Sequence, residues 1–221
     1  MSAADRQESL GLRGAVYKRR WQIAGQRSDL DRACKVYLDG YALGPQLDQG
    51  YTGINAAFIL DLLALQQLAE MSGGGSALPQ WTASLCHQAT EIRSTLAALL
   101  PTLPADPKRA WLSKQWWFHA TRAEACLGLG KYEEAIEALR DYNRNNGLRD
   151  AELSSAEHVM PWEFESTISQ LAALIELQVA GAPCAVMGWL FTCVTFAGSM
   201  MVMRALPMSK LPNGSLICAR T

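Results

Sequence analysis

Apolar residues recur every three or four positions between residues 8 and 178 of this 221-residue chain. This spacing places apolar side chains along one face of an α-helix, and no stretch alternates apolar and polar residues for long enough to form a strand. Glycine and proline cluster between the periodic stretches, where they favour turns. The sequence therefore predicts an all-α domain of about seven helices, at residues 8–25, 28–43, 52–70, 80–100, 108–129, 131–146 and 161–179.

Small residues recur at the same offsets in successive pairs of these helices. One copy of the pattern, at the offsets of a tetratricopeptide repeat, consists of Ala123, Gly130, Tyr132 and Ala135. An earlier copy consists of Gly14, Tyr17, Ala33, Tyr37, Gly40 and Pro45. Residues 53–69 and 81–101 form a weaker third copy between them. Because three helical hairpins in a row bury a continuous core, the pattern predicts a tetratricopeptide-like α-α superhelix over residues 8–178.

Four blocks of the chain, in this order, resemble a known family: "ESLGLRGAVYKRRW", "YLDGYALGPQLDQGYTGINAAFILDLLA", "HATRAEACLGLGKYEEAIEAL" and "WEFESTISQLAAL". The family comprises bacterial tetratricopeptide-type proteins that share a TRAFs-binding domain with apoptosis signal-regulating kinases, which are mitogen-activated protein kinase kinase kinases. The resemblance covers about residues 8–178, and "GYTGINAA" is its most specific block. In those kinases the corresponding segment lies in the regulatory region upstream of the kinase domain. The resemblance implies a protein-interaction or regulatory module and not a catalyst, and it does not imply that this chain binds TRAF proteins.

The charge balance argues against nucleic acid as a partner. The formal net charge is −1, and no basic stripe is interleaved with aromatic residues, so the chain lacks the surplus of lysine and arginine that neutralises phosphates. The six cysteines include no C-x-x-C pair. Cys34, Cys86 and Cys126 lie within apolar helical patterns, which predicts reduced, buried thiols. Since the N-terminus has no secretory signal, we expect a cytoplasmic protein.

Two residues interrupt the apolar stretch "YTGINAAFIL" at residues 51–60. We expect Gly53 to let the backbone approach the preceding hairpin. Asn55 either bonds free amides of the first helical turn or a neighbouring helix, or it faces the concave groove with Tyr51 and binds the main chain of a peptide. The repeat offsets place Trp117 and Glu124 on the groove-facing side of their helix. The predicted partner-binding residues are therefore Tyr51, Asn55, Trp117 and Glu124.

No arrangement of residues in the sequence indicates catalysis, a cofactor or a metal site. His87, His119 and His158 lie on separate segments without an H-E-x-x-H pattern, and His119 occupies a packing position. The stretch "CLGLGKY" lacks the spacing of a phosphate-binding loop, and no G-x-S-x-G motif is present. We therefore expect neither an enzyme nor a small-molecule substrate.

Two hypotheses of different class follow. The first is a non-catalytic scaffold or regulatory module whose superhelical groove holds a protein or peptide partner. The second is a fragment or accessory subunit that gates a separate signalling or conflict-system effector enzyme. A more remote alternative is a membrane-anchored adaptor, held through residues 179–203.

The two ends of the chain differ from the helical domain. Residues 1–7 are expected to be disordered. Residues 177–203 carry no formal charge and are long enough to cross a bilayer. The only charges after Glu176 are positive, however, and a tail anchor would place them outside the cell, against the usual bias. Three interpretations of the apolar tail at residues 179–221 follow. The favoured one is a truncated or frame-altered end. The other two are a membrane anchor and an apolar cap on the last helix.

Overall fold

The computed structural model describes residues 2–70, 80–146 and 161–181. The predictions made for residues 182–221 lie outside these residues. The helices of the described part are α1 (Ala3–Ala24), α2 (Arg27–Tyr41), α3 (Tyr51–Glu70), α4 (Gln80–Leu99), α5 (Trp116–Gly128), α6 (Tyr132–Asn146) and α7 (Pro161–Gly181). Two 3₁₀ helices, Leu100–Ala105 and Pro107–Lys114, connect α4 to α5. Among the described helices, none combines the length and the hydropathy that a membrane span requires.

The helices pack as consecutive pairs, α1 on α2, α3 on α4 and α5 on α6. Neighbouring pairs are joined because α2 also packs on α3, and α4 on α5. This arrangement confirms the predicted all-α, tetratricopeptide-like array of hairpins, including the weaker third copy formed by α3 and α4. Because the two helices of a hairpin run in opposite directions, α1, α3 and α5 run parallel to one another and form one side of the array.

Two glycines let aromatic rings pack directly against helix backbones. A Cβ atom at Gly14 would lie 2.7 Å from the Cε1 and Cζ atoms of Tyr37, and a Cβ at Gly53 would lie 2.7 Å from Cδ2 of Tyr41. These distances are too short for any side chain unless a ring moves, and Tyr37 is 1% exposed and enclosed by the core. The structure thus confirms the expectation that Gly53 lets α3 approach the preceding hairpin.

Helix α3 lies at the centre of the core. Residues 52–60 are all buried, and α3 packs against α1, α2, α4, α5 and α7. The last helix, α7, packs on α5 and also touches α3, and its Leu174 belongs to the same apolar cluster as Phe58 and Ile59. Helix α7 therefore lies against the first helices of the hairpins.

The prediction that residues 1–7 are disordered is wrong for the part of this segment that the structure describes. Helix α1 begins at Ala3, and Ser2 is its N-cap. The Asp5 backbone N–H donates to Ser2 Oγ at 3.1 Å, and the Ser2 backbone N–H donates to Asp5 Oδ2 at 2.9 Å. This reciprocal pair satisfies N–H groups that a helix start leaves free, so the helix forms before the first apolar residue of the pattern.

The single helix predicted at residues 108–129 consists of two separate helices. The 3₁₀ helix Pro107–Lys114 ends at Gln115, whose backbone is extended (φ −94°, ψ 123°), and α5 begins at the next residue. The break leaves the Ser113 carbonyl oxygen without a continuing helix. The Nε2 atom of His119 lies 2.8 Å from that oxygen, so a tertiary contact replaces the helical hydrogen bond.

The cysteine predictions hold in part. Cys34 is buried as predicted and Cys126 is partly buried, but Cys86 is exposed, so the prediction of a buried thiol is wrong there. Helix α4 packs through one face, and position 86 falls on the opposite face, which the sequence pattern did not distinguish. None of these three thiols, which are the cysteines of the described part, forms a disulfide.

The packing of the last hairpin gives a direct test of the repeat assignment. Ala135 of α6 and Ala123 of α5 are 7% and 1% exposed and lie in one apolar cluster. Ala135→Glu should bury an unpaired charge and lower the free energy of unfolding by about 3 kcal/mol or more, measured by denaturant titration.

The matched control for this substitution is Glu134→Ala, since Glu134 is the exposed neighbour of Ala135 on α6. The control should change the free energy of unfolding by less than about 0.5 kcal/mol. An Ala135→Glu chain with the stability of the unmodified protein would show that the hairpin is assigned in the wrong register.

Candidate functional site

Four polar side chains from four helices meet between the first helices of the hairpins and α7. Lys18 Nζ donates to Asn55 Oδ1 at 2.8 Å and also donates to Gln170 Oε1. Gln170 Nε2 donates to Glu124 Oε1 at 2.6 Å. We call these four residues the polar cluster. Because α1, α3, α5 and α7 each contribute one member, the cluster joins residues that are as many as 152 positions apart in sequence.

The local structure of α3 fixes Asn55 in the cluster. Its Nδ2 donates to the Tyr51 carbonyl oxygen, one turn earlier, at 2.9 Å. Asp48 caps the start of α3, because it accepts from the Thr52 backbone N–H at 2.8 Å and from the N–H of Gly50, which precedes the helix, at 3.1 Å. Of the roles predicted for Asn55, the structure shows the contact with a neighbouring helix, since Asn55 Oδ1 accepts from Lys18.

The Lys18 ammonium group lies in surroundings that disfavour its charge. It sits 5.2 Å from the centre of the Phe58 ring, between the side chains of Asn55 and Gln170. Burial lowers the pKa of Lys18 to about 8, and the opposing attraction of the Glu124 carboxylate does not restore the usual value. The ammonium is held in place by amide oxygens and by the aromatic ring.

Glu124 is a buried carboxylic acid on the facing helix. Burial raises its pKa, whereas the hydrogen bond from Gln170 and the positive charges of Lys18 and Arg93 act in the opposite direction. Buried acids and bases whose pKa values are displaced by their surroundings are typical of functional sites, and also of structural ion networks. The polar cluster is therefore the strongest candidate site within the described residues.

A buried ion pair extends the polar cluster toward α4. Arg93 Nη2 lies 2.6 Å from Asp61 Oδ2, and Arg93 is 2% exposed. Arg93 favours the charged form of Glu124, and Asp61 disfavours it. The pair therefore sets part of the electrostatic environment of the Glu124 carboxyl group.

The structure brings three of the four predicted partner-binding residues together. Asn55 and Glu124 are members of the polar cluster, linked through Lys18 and Gln170, and Tyr51 joins through its carbonyl oxygen. The Tyr51 ring is 42% exposed and packs edge-on against Tyr37, with 6.1 Å between ring centres. The partner-binding role of these residues stays a prediction.

Trp117, the fourth predicted residue, lies outside the polar cluster. It precedes Glu124 by about two turns of α5, on the same face of that helix. Its ring is partly buried, and its centre lies 6.1 Å from that of Trp111, which is 51% exposed. Tyr51 and the Trp111–Trp117 pair both stand toward the N-terminal side of the cluster, because α3 and α5 run parallel.

His119 has a structural position, as its place in the repeat predicts. It is 1% exposed, with Nδ1 at 2.9 Å from the Ala138 carbonyl oxygen and Nε2 at 2.8 Å from that of Ser113. A neutral imidazole carries one N–H, so the ring donates to one of these two carbonyl groups and packs closely against the other. Over the described ranges, no group of three histidine, cysteine or acidic residues is arranged to hold a metal ion.

Sequence reasoning missed two members of the polar cluster, Lys18 and Gln170. Lys18 is the first of three consecutive basic residues, a pattern typical of a solvated helix face. Gln170 stands in a helix that shares no repeat offset with the others. No local signal identifies either residue, because only the position of α7 brings them together.

Comparison with known proteins gives one similarity, at the N-terminus. A model of the family described as Tetratricopeptide Repeats-Sensor, TPR-S, matches residues 2–60, which span α1, α2 and the first half of α3. Searches of curated proteins and of solved structures give no significant match. The match supports the tetratricopeptide part of the predicted resemblance and includes Lys18 and Asn55. The finer resemblance to TRAFs-binding domains stays a prediction.

The raised pKa of Glu124 has a measurable consequence for stability. Between the ordinary glutamate pKa of 4.5 and the raised pKa of Glu124, the folded state keeps a proton that the unfolded state has released. The contribution of Glu124 to stability is therefore present below pH 4.5 and is lost as the pH rises through the raised pKa. Glu124→Gln keeps an oxygen that accepts from Gln170 and removes this titration. The variant should therefore become more stable relative to the wild type as the pH rises. The difference between their free energies of unfolding should grow by about 1.4 kcal/mol in total for each unit by which the pKa of Glu124 is raised.

Urea titrations at a series of pH values from 4 to 8, for both proteins, measure this difference. Glu133→Gln, which removes an exposed carboxylate of α6, is the matched control. Parallel stability curves for the wild type and Glu124→Gln would contradict the assignment of Glu124 as a destabilised buried acid.

Proposed function

We propose that this chain is a non-catalytic interaction or sensing module, in which the side formed by α1, α3 and α5 binds a protein or peptide. The observation that carries the proposal is that this side already binds a helix, α7, through both hydrogen bonds and apolar contacts. A surface that seats one amphipathic helix has the features that helix recognition requires, namely a hydrophobic groove with a few placed polar groups.

The exposed aromatic residues near the polar cluster support a binding role. Tyr51 and Trp111 are 42% and 51% exposed, although large aromatic rings are usually more enclosed in a monomer. Tyrosine and tryptophan are the side chains that contribute most to the binding energy of protein interfaces. We infer that a partner contacts these rings on the N-terminal side of the cluster.

A second candidate function is the gating of a separate effector enzyme in a signalling or conflict system. The name of the family that matches residues 2–60 contains the word sensor, and the sequence resembles the regulatory region of kinases. Both observations favour a module that reports a binding event to another domain. In that case the partner on the α1, α3 and α5 side is the effector or its regulator.

Site-directed photocrosslinking tests which side of the array binds. The photoreactive residue p-benzoylphenylalanine is introduced as Tyr51→p-benzoylphenylalanine in one protein and as Trp81→p-benzoylphenylalanine in another. Trp81 is a matched control because it is 49% exposed but belongs to α4, a second helix on the opposite side. After incubation with a lysate of the source cells, position 51 should give a discrete crosslinked species that position 81 does not give.

A competition experiment tests whether the crosslink at position 51 is specific. Unlabelled wild-type chain in excess should suppress the species formed from position 51, because it competes for the same partner. Crosslinks from position 81 alone, or from neither position, would contradict the proposed binding side.

A further inference from the structure

Helix α7 does not continue the row of hairpins. In a repeat array each unit contacts only its neighbours, so a fourth first helix would pack on the third hairpin alone. Helix α7 packs on α5 but also touches α3 of the second hairpin, and its Gln170 bonds Lys18 of α1, in the first. It therefore crosses the first helices of three hairpins, which is the position that a bound peptide takes in a groove.

The polar contacts of α7 select one kind of side chain. Gln170 Oε1 accepts from the Lys18 ammonium, and Gln170 Nε2 donates to the Glu124 carboxyl oxygen. A carboxamide presents an acceptor and a donor side by side, whereas an ionised carboxylate only accepts and an ammonium only donates. A glutamate would therefore place an acceptor against the ionised Glu124 carboxylate, and a lysine would place a donor against Lys18.

Apolar contacts next to Gln170 complete the recognition pattern. Leu174, one helical turn later, is 1% exposed and lies in the main core cluster, and Leu171 packs against the same cluster. The three residues form the pattern Gln-Leu-x-x-Leu along one face of α7. The preceding residue, Ser169, is exposed and points away from this face.

Two of the groups that bind α7 are titratable side chains largely removed from water, which changes how firmly it is held. Lys18 and Glu124 lose part of their hydration in this position, and an apolar surface of the same size would bind a helix without that loss. These polar groups therefore contribute more to the selectivity of the site for its ligand than to its affinity. A helix with the same pattern, supplied by another molecule, satisfies the same groups.

We propose that Lys18, Asn55 and Glu124 form a carboxamide-recognition site, that α7 is its internal occupant, and that the external ligand is a partner helix carrying Gln-Leu-x-x-Leu. This inference rests on the proposed function, because it names the partner class and the regulation of the same binding side. Docked α7 closes the site, and the partner helix competes with it. Since α7 is tethered to the chain, it competes for the site at a local concentration of about millimolar. A partner helix must therefore bind more tightly than α7 does, or be present at a higher concentration.

A peptide of residues 161–181, labelled with fluorescein, is the probe for this site. It is titrated with the full chain, as wild type and as Gln170→Ala, and binding is followed by fluorescence anisotropy. Gln170→Ala removes the hydrogen bonds that α7 makes to two charged groups. The variant chain should therefore bind the peptide about tenfold more tightly than the wild type does.

Peptide variants test the chemistry of recognition. At a pH at which Glu124 is ionised, a Gln170→Glu peptide should bind the variant chain about tenfold more weakly than the unmodified peptide, because its carboxylate faces the Glu124 carboxylate. A Ser169→Ala peptide, altered at the exposed neighbour, should bind as the unmodified peptide does. Equal affinities for the Gln and Glu peptides would overturn the inference, as would failure of the variant chain to bind the unmodified peptide at millimolar concentration.

A second measurement needs no substitution in the chain. Hydrogen–deuterium exchange of the wild-type chain is followed with and without the Ser169→Ala peptide, whose mass distinguishes it from the chain's own α7. Displacement should raise the exchange of residues 165–176 of the chain, and unchanged exchange while peptide is bound would overturn the inference. If these α7 experiments fail while position 51 still crosslinks to a partner, the inference about α7 is overturned but the proposed function is supported. The two failures are therefore distinguishable.

Discussion

The burial of α3 is the constraint on which the rest of the structure depends. A helix that is packed on every side has no face from which polar side chains reach water, so each of them needs a partner on another element. Three polar residues of α3 find such partners. Thr52 bonds Asp48 and accepts from Gln7, Asn55 accepts from Lys18, and Asp61 pairs with Arg93.

These polar contacts fix the positions of the helices around α3. The bond between Lys18 and Asn55 fixes the position of α1 along the axis of α3, and the Arg93–Asp61 pair fixes that of α4. Apolar side chains of similar volume would join the helices without the loss of hydration that charges suffer, but they would accept many registers. The buried charges contribute position and chemical selectivity more than stability. The candidate site is thus a direct consequence of a central helix that carries polar residues.

Much of this fold follows from the local pattern of the sequence. The spacing of Gly14 and Tyr37 predicts a close contact within one hairpin, and the structure has the ring on the glycine. Helix ends were less predictable, because capping and tertiary hydrogen bonds decide them. The Ser2–Asp5 pair starts α1 before the apolar pattern begins, and contacts from the side chains of His119 and Asn145 to the Ser113 carbonyl group replace a helical bond where α5 is separated from the 3₁₀ helix.

By itself, the sequence determined the hairpins, their order and the side of α5 on which Glu124 lies, because helical periodicity and repeat offsets are properties of neighbouring residues. Only the tertiary structure decided that α7 crosses the first helices and that Gln170 meets Lys18 and Glu124. That contact joins residues from distant parts of the described chain, and its hydrogen bonds depend on the packing of helices that are far apart in sequence. A lysine that resembles a solvated residue in sequence becomes part of a binding site for this reason.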